Sequence, residues 1–227
     1  MKNKILSIIS VIAFLMGISA CHSPEEFNPT VERNIINNLT ASFPDDDSDD
    51  NSFTSEIDYT NHVITVVFPY NYPKLSDNVL QLSDLKKMRM IADLDNNVYV
   101  YPTLLFMDMT KDNFITVKDQ TGTSTEYKVV AEIRKSNECA ITKFNLTSLG
   151  LSGIINESSK TISLISLESI GEVLADVSIS HGATISPDPR TVALNYDQDQ
   201  KITVTAQNGT TKSTYTVKKE IPEKIAA

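Results

Sequence analysis

One stretch of this chain occurs twice. Ile115-Thr116-Val117-Lys118-Asp119-Gln120-Thr121-Gly122-Thr123 matches Ile202-Thr203-Val204-Thr205-Ala206-Gln207-Asn208-Gly209-Thr210, and after a one-residue slip Tyr127, Val129, Glu132 and Ile133 match Tyr215, Val217, Glu220 and Ile221. Upstream, Ile57, Ile64 and Val66 align with Ile155, Ile162 and Leu164, and Val98 and Pro102 with Ile185 and Pro189. A duplication of this extent requires any architecture proposed for one copy to serve the other as well. The copies are expected over residues 39–135 and 139–221, and about 200 residues after the N-terminal segment suit two small domains.

Each copy has the period and punctuation of an antiparallel β domain. In Thr203-Val204-Thr205-Ala206 and Ser213-Thr214-Tyr215-Thr216-Val217, apolar and hydroxyl residues alternate, so one face can be buried while the other meets water. Asn208-Gly209 reads as the hairpin turn between these runs, with Gln120-Thr121-Gly122 in the same place in the first copy, because Gly and Asn tolerate positive φ. Asp58-Tyr59-Thr60-Asn61 and Asn156-Glu157-Ser158-Ser159 mark a second equivalent turn. Several short strands per copy predict two all-β, immunoglobulin-like β-sandwich domains in tandem. Their cores should be Ile57, Ile64, Val66, Val98, Ile115, Val117 and Val129 in one, and Ile155, Ile162, Leu164, Ile185, Ile202, Val204 and Val217 in the other. Val79 to Met90 departs from the pattern and could form one or two helical turns local to the first copy.

The N-terminus carries a different signal. Lys2 and Lys4 precede an apolar run from Ile5 to Ile18, followed by Ser19-Ala20-Cys21. A basic start, an apolar core too short to span a bilayer and small residues before a cut make a secretory signal over residues 1–20. The pattern is that of bacterial lipoproteins, in which Cys21 becomes the lipidated first residue of the mature chain. The alternative is an ordinary signal whose Cys21 later pairs with Cys139, the only other cysteine. With Cys21 lipidated, Cys139 has no partner and no neighbouring base, and reads as a small buried hydrophobe. Residues 21–38, with Pro24, Pro29 and few apolar side chains, read as a flexible tether of about 20–25 Å.

Residues 1–20 hold two lysines and no acid, so the remainder carries 18 basic against 29 acidic side chains, a net charge of −11. Without a basic stripe the chain is a poor nucleic-acid binder, and an anionic lipid surface would repel it, which leaves the N-terminal lipid as the membrane contact.

The second copy, from Ile141-Thr142-Lys143-Phe144 through Gly182-Ala183-Thr184-Ile185-Ser186-Pro187 to Tyr215-Thr216-Val217, resembles the immunoglobulin-like (cadherin-like) modules of Bacteroidetes surface lipoproteins. The likeness is good over 139–221 and degenerate over 39–135. These modules form a family of unknown function, similar in layout to outer-membrane starch-binding lipoproteins and to adhesins. The resemblance implies a fold and an outer-membrane address, and supplies no catalytic residues. Glu25-Glu26 behind the cysteine resembles the acidic export signal of surface lipoproteins, which implies an outward-facing protein, and equally reads as a solvated linker.

Where the copies differ, a function could have been added. Between Val66 and Met88 the first copy holds an insertion that includes Phe68-Pro69-Tyr70-Asn71-Tyr72-Pro73. Sugars stack on aromatic faces, and a proline-stiffened loop loses little entropy on binding, so Tyr70 and Tyr72 are candidate contacts for a glycan or protein. Tyr99 and Tyr101 alternate with Val98 and Val100, and both face outward if Val98 points inward. The competing reading makes all four rings packing on a β surface. In the acidic run, Asp45, Asp47 and Asp49 fall at calcium-loop spacing, but Asp50 stands where such a loop needs glycine, so a solvated loop between the first two strands is expected. His22, His62 and His181 are scattered, and no nucleophile, zinc or phosphate-loop motif is present. The chain therefore reads as a non-enzyme without a cofactor. Two classes remain: a surface protein that binds an extracellular glycan or mediates adhesion, and a structural spacer or assembly subunit of an outer-membrane complex.

Overall fold

The computed structural model describes residues 35–222, which fall in one compact unit. The expected signal peptide, Cys21 and the tether up to residue 34 lie outside the described residues. The first repeat forms β1 (Ile36–Ser42), β2 (Ser55–Asp58), β3 (Val63–Pro69), β4 (Met88–Leu94), β5 (Tyr99–Tyr101), β6 (Phe106–Met107), β7 (Asn113–Lys118) and β8 (Ser124–Arg134). The second forms β9 (Ile141–Leu146), β10 (Leu151–Ser152), β11 (Ile154–Asn156), β12 (Thr161–Ile165), β13 (Glu172–Val173), β14 (Asp176–Ile179), β15 (Thr184–Ser186), β16 (Leu194–Asn195), β17 (Gln200–Thr205) and β18 (Lys212–Glu220).

The protein is all-β, and the two repeats share one topology. A five-stranded sheet ordered β2-β3-β8-β7-β5 faces a three-stranded sheet β1-β4-β6, and in the second repeat β11-β12-β18-β17-β15 faces β10-β9-β14, with β13 and β16 as a separate ribbon. Alternation explains the layers. In β3, Ile64, Val66 and Phe68 are buried while their neighbours are not, and β17 buries Ile202 and Val204 in the same way. All fourteen core positions read from the repeat join one of two separate apolar clusters. Ten are buried, and Ile57, Val98, Ile155 and Ile185 are half-buried against them. The register repeats too: Ile57 pairs with Ile64 and Ile155 with Ile162, while Ile115 faces Tyr127 and Ile202 faces Tyr215.

Three features differ from the sequence reading. The five-stranded sheets are mixed, because β3 runs parallel to β8 and β12 parallel to β18. A parallel neighbour needs a long connection, supplied here by intervening strands that include β4 and β6 of the opposite sheet in the first repeat and β14 in the second, and alternation carries no information on strand direction. The first repeat begins inside the segment read as tether: Ile36 is fully buried, and Asn38 Oδ1 accepts hydrogen bonds from the Ser55 backbone (3.2 Å) and hydroxyl (3.1 Å). Ile36, Leu39 and Ala41 are buried at the same spacing as Ile141, Phe144 and Leu146, a correspondence hidden by the surrounding asparagines. The alignment of Val98 with Ile185 moves by two residues, since Val100 faces Val117 as Ile185 faces Val204. Asn97 and Gly182, both at positive φ, then coincide. Val79 to Met90, where one or two helical turns are expected, holds a single 3-10 turn, Leu82–Lys86, which buries Leu85 before the chain enters β4.

Candidate functional site

The outer face of the first five-stranded sheet ends in an aromatic ledge. Val100 and Val117 pair and point toward the core, so Tyr99 and Tyr101 on the edge strand β5 point out, opposite Lys118 and Thr116 of β7. They are 67% and 76% exposed. Phe114 lies on the same face of β7, diagonal to Tyr101 and 55% exposed; diagonal neighbours sit about 7–8 Å apart, within reach of aromatic rings. Beside the rings stand Lys118 and Ser124 in one cross-strand pair and Thr116 and Glu126 in the next, which supply hydrogen-bond donors and acceptors. In the second repeat the equivalents of Tyr99, Tyr101 and Phe114 are Thr184, Ser186 and Lys201. Phe114 was missed in the sequence, although the same alternation around Ile115 would have turned it outward.

The four tyrosines do not form one cluster. Tyr70 follows Pro69, which pairs with Arg134, whereas Tyr101 pairs with Thr116, which faces Glu126. Between Glu126 and Arg134, β8 spans about 26 Å at about 3.3 Å per residue, so Tyr70 and the ledge occupy opposite ends of the sheet. Tyr72 is a packing residue. Its ring lies 5.1 Å from Phe43 and 5.4 Å from Phe53, and its hydroxyl donates to Asp46 in the acidic loop. That bond, with those from Ser48, holds the Asp46 carboxyl below the ordinary carboxylate range. Burial is the main cause that raises the Tyr72 hydroxyl, with Asp46 adding to it.

Tyr70 lies in the joint between the repeats. The insertion from Tyr70 to Lys87 leaves β3 and reaches the second repeat, where His181 Nε2 lies 2.9 Å from the Ser76 carbonyl and Gln207 Nε2 donates to Asn71 Oδ1 at 2.6 Å. Lys135 Nζ sits 5.0 Å above the Tyr70 ring. A cleft of about 250 Å³ remains here, lined among others by Pro69, Tyr70, Lys74, Glu138 and His181. Its polar groups are largely occupied: Gln207 also accepts from the Ser136 N–H, and Arg134 is shared between Glu56 and Glu132.

The acidic loop lies between β1 and β2, with Asp45, Asp47 and Asp49 exposed. Its organiser is Asn51, which donates to the carbonyls of Phe43 (2.7 Å) and Asp46 (2.5 Å) and accepts from the Phe43 N–H. Among the described residues no group of three or more His, Cys, Asp or Glu side chains is arranged to hold a metal ion. His62 sits at positive φ in the β2–β3 turn, stacked edgewise on Tyr127, and His22 lies outside the described residues. Cys139 is half-buried against the second core, 3.1 Å from the Ser213 hydroxyl. No described helix is long and apolar enough to cross a membrane.

Two solved structures share partial likeness. One, from Bacteroides thetaiotaomicron and provisionally described as a glycoside hydrolase, is 28% identical over 40% of this chain and 27% of its own, with a TM-score of 0.34. The other, provisionally described as a secreted protein of Bacteroides fragilis, is 17% identical over 44% of this chain and 94% of its own, with a TM-score of 0.32. At such scores neither bears on fold or activity. No curated protein matches the sequence. Residues 141–219 match the family described as Domain of unknown function (DUF8499). The longer match covers 16–131, more than half of the chain and Cys21 within it, and on that ground the chain belongs to the family described as Domain of unknown function (DUF5018).

Proposed function

We propose that this is a non-catalytic, lipid-anchored outer-membrane protein that faces the cell exterior and takes a glycan chain on the Tyr99-Tyr101-Phe114 ledge. The observation that carries the reading is differential. A duplicated scaffold shares what folding needs, and three rings more than half exposed stand side by side in one copy where the other has Thr, Ser and Lys. The apolar C–H faces of sugars stack on such rings, while Lys118, Thr116 and Glu126 are placed to meet hydroxyls. The address rests on the Lys2/Lys4 start, the short apolar core and Ser19-Ala20-Cys21, of which only residues 16–21 fall within the family match. Cys21→Ser should release the protein from the membrane and abolish labelling by a fatty-acid analogue. An unlabelled wild type would refute the anchor.

Binding is tested by titrating oligosaccharides against the wild type and against Tyr99→Ala, Tyr101→Ala and Phe114→Ala. Each truncation should weaken binding by about 1 kcal/mol or more and leave thermal unfolding nearly unchanged. Unaltered binding in all three would remove the ledge from consideration. A second reading, an assembly subunit that holds another outer-membrane component, is favoured by one observation. On the outer face of β1-β4-β6, Ile91 and Phe106 are exposed beside Lys87, whose ammonium lies 4.8 Å over the Phe106 ring, and Leu105 is exposed next to Phe106. Cross-linking on cells distinguishes the two: a protein partner lost with Phe106→Ser, but kept with Tyr101→Ala, supports the subunit.

A further inference from the structure

We infer that the first-repeat insertion is a strap that locks the two repeats into one rigid body, with Gln207 of the second repeat as its catch. The repeats have separate apolar cores, so nothing in either sandwich fixes its angle to the other. Polar contacts across the joint do. Gln207 is bonded on both sides of its amide: Nε2 donates to Asn71 Oδ1 in the insertion at 2.6 Å, and Oε1 accepts from the Ser136 N–H in the connecting segment at 3.1 Å. The next residue completes the joint, because the Asn208 N–H donates to the Ser136 carbonyl at 3.0 Å. From the other flank, His181 Nε2 bonds the Ser76 carbonyl at the tip of the insertion.

The second repeat is shaped to receive this catch. Gly182, at φ +72, leaves room for the Gln207 side chain, since a Cβ there would stand 2.7 Å from Nε2 and 2.9 Å from Cδ. The equivalent of Gln207 in the first repeat is Gln120, which occupies the same hairpin position and is exposed. One glutamine of a repeated pair has thus been recruited into the joint while its twin meets solvent. Held this way, the second repeat keeps a fixed direction relative to the ledge on the first. Mutually satisfied hydrogen bonds in a half-buried joint can hold such a geometry, because each group is positioned by the bonds its neighbours make.

The test is a distance measurement by pulsed electron spin resonance on the full chain, spin-labelled at exposed Thr60 in the first repeat and Lys201 in the second, with Cys21 and Cys139 replaced by serine. The wild-type joint should give a single narrow distance distribution. Gln207→Ala with His181→Ala should lose the narrow peak, as should Asn71→Ala from the insertion side, while Gln120→Ala keeps it and thermal unfolding confirms that each variant is folded. A broad distribution in the wild type overturns the proposal. So does a narrow one retained in both joint variants.

Discussion

Two tyrosines in the second core should respond in opposite directions to loss of the same atom. Tyr196 is 1% exposed, packs edgewise on Phe144 at 5.9 Å, and has a buried hydroxyl with no partner among the described residues. Burial pushes that hydroxyl up to about 12. An unpaired buried hydroxyl costs about 1–3 kcal/mol in proteins, so Tyr196→Phe, which keeps the ring, should stabilise the fold by about 1 kcal/mol. Tyr215 is equally enclosed, but its hydroxyl donates to Glu157 at 2.6 Å and accepts from the Ile141 N–H at 3.2 Å and Lys160 Nζ at 3.3 Å. Tyr215→Phe breaks bonds that include charged partners and should cost about 1–3 kcal/mol. Urea unfolding followed by far-ultraviolet circular dichroism reads both, and a thermal midpoint should move by about 2–4 °C per kcal/mol for a chain of this size. A Tyr196→Phe protein destabilised as much as Tyr215→Phe would show that the Tyr196 hydroxyl has a partner after all, and the reasoning would fail.

Two further outcomes concern Tyr72 and Asp197. Tyr72→Ala should lower stability by about 2 kcal/mol, less than a fully enclosed aromatic would, because it removes the ring packed on Phe43 and Phe53 and the bond to Asp46; unchanged urea unfolding would contradict this. Asp197 accepts from the Ser169 hydroxyl, the Ile170 and Gly171 N–H groups and Lys219, which together hold its carboxyl far below the ordinary carboxylate range. A depressed carboxylate stabilises fully above its unfolded pKa and loses that contribution as pH falls toward its folded one, so stability should decline on going from about pH 6 to about pH 3, and less steeply in Asp197→Asn. Parallel wild-type and variant curves would refute the assignment.

Most of the fold was legible because β structure writes itself with period two, and the same period explains where legibility stopped. Placing Val98 rather than Val100 opposite Ile185 is an error of two residues, which leaves every side chain on its correct face; Tyr99 and Tyr101 were therefore read as outward from a register that was wrong. Only pairing to Val117, or the positive φ shared by Asn97 and Gly182, exposes the slip. The parallel partners of β3 and β12 were invisible for a related reason, since a strand buried on one face alternates identically whichever way its neighbour runs.

The insertion shows the limit of reasoning from differences between copies. A stiff aromatic loop present in one repeat alone is dispensable to a single sandwich, and from that it was inferred to meet a ligand. Its residues instead divide by position: Tyr72 closes the core beneath the acidic loop, Tyr70 lines the joint, and Asn71 between them meets the second repeat. What one sandwich does not need, two sandwiches in contact can, and the sequence of a repeat does not record which of its surfaces the neighbouring copy will cover. Tyr99 and Tyr101 differ from Tyr70 and Tyr72 in this respect alone. They sit on an edge strand at the other end of the sheet, away from that contact, where exposure of 67% and 76% persists after folding. The differential argument regains its force there, because for the ledge rings neither the core nor the joint supplies a structural reason to be aromatic.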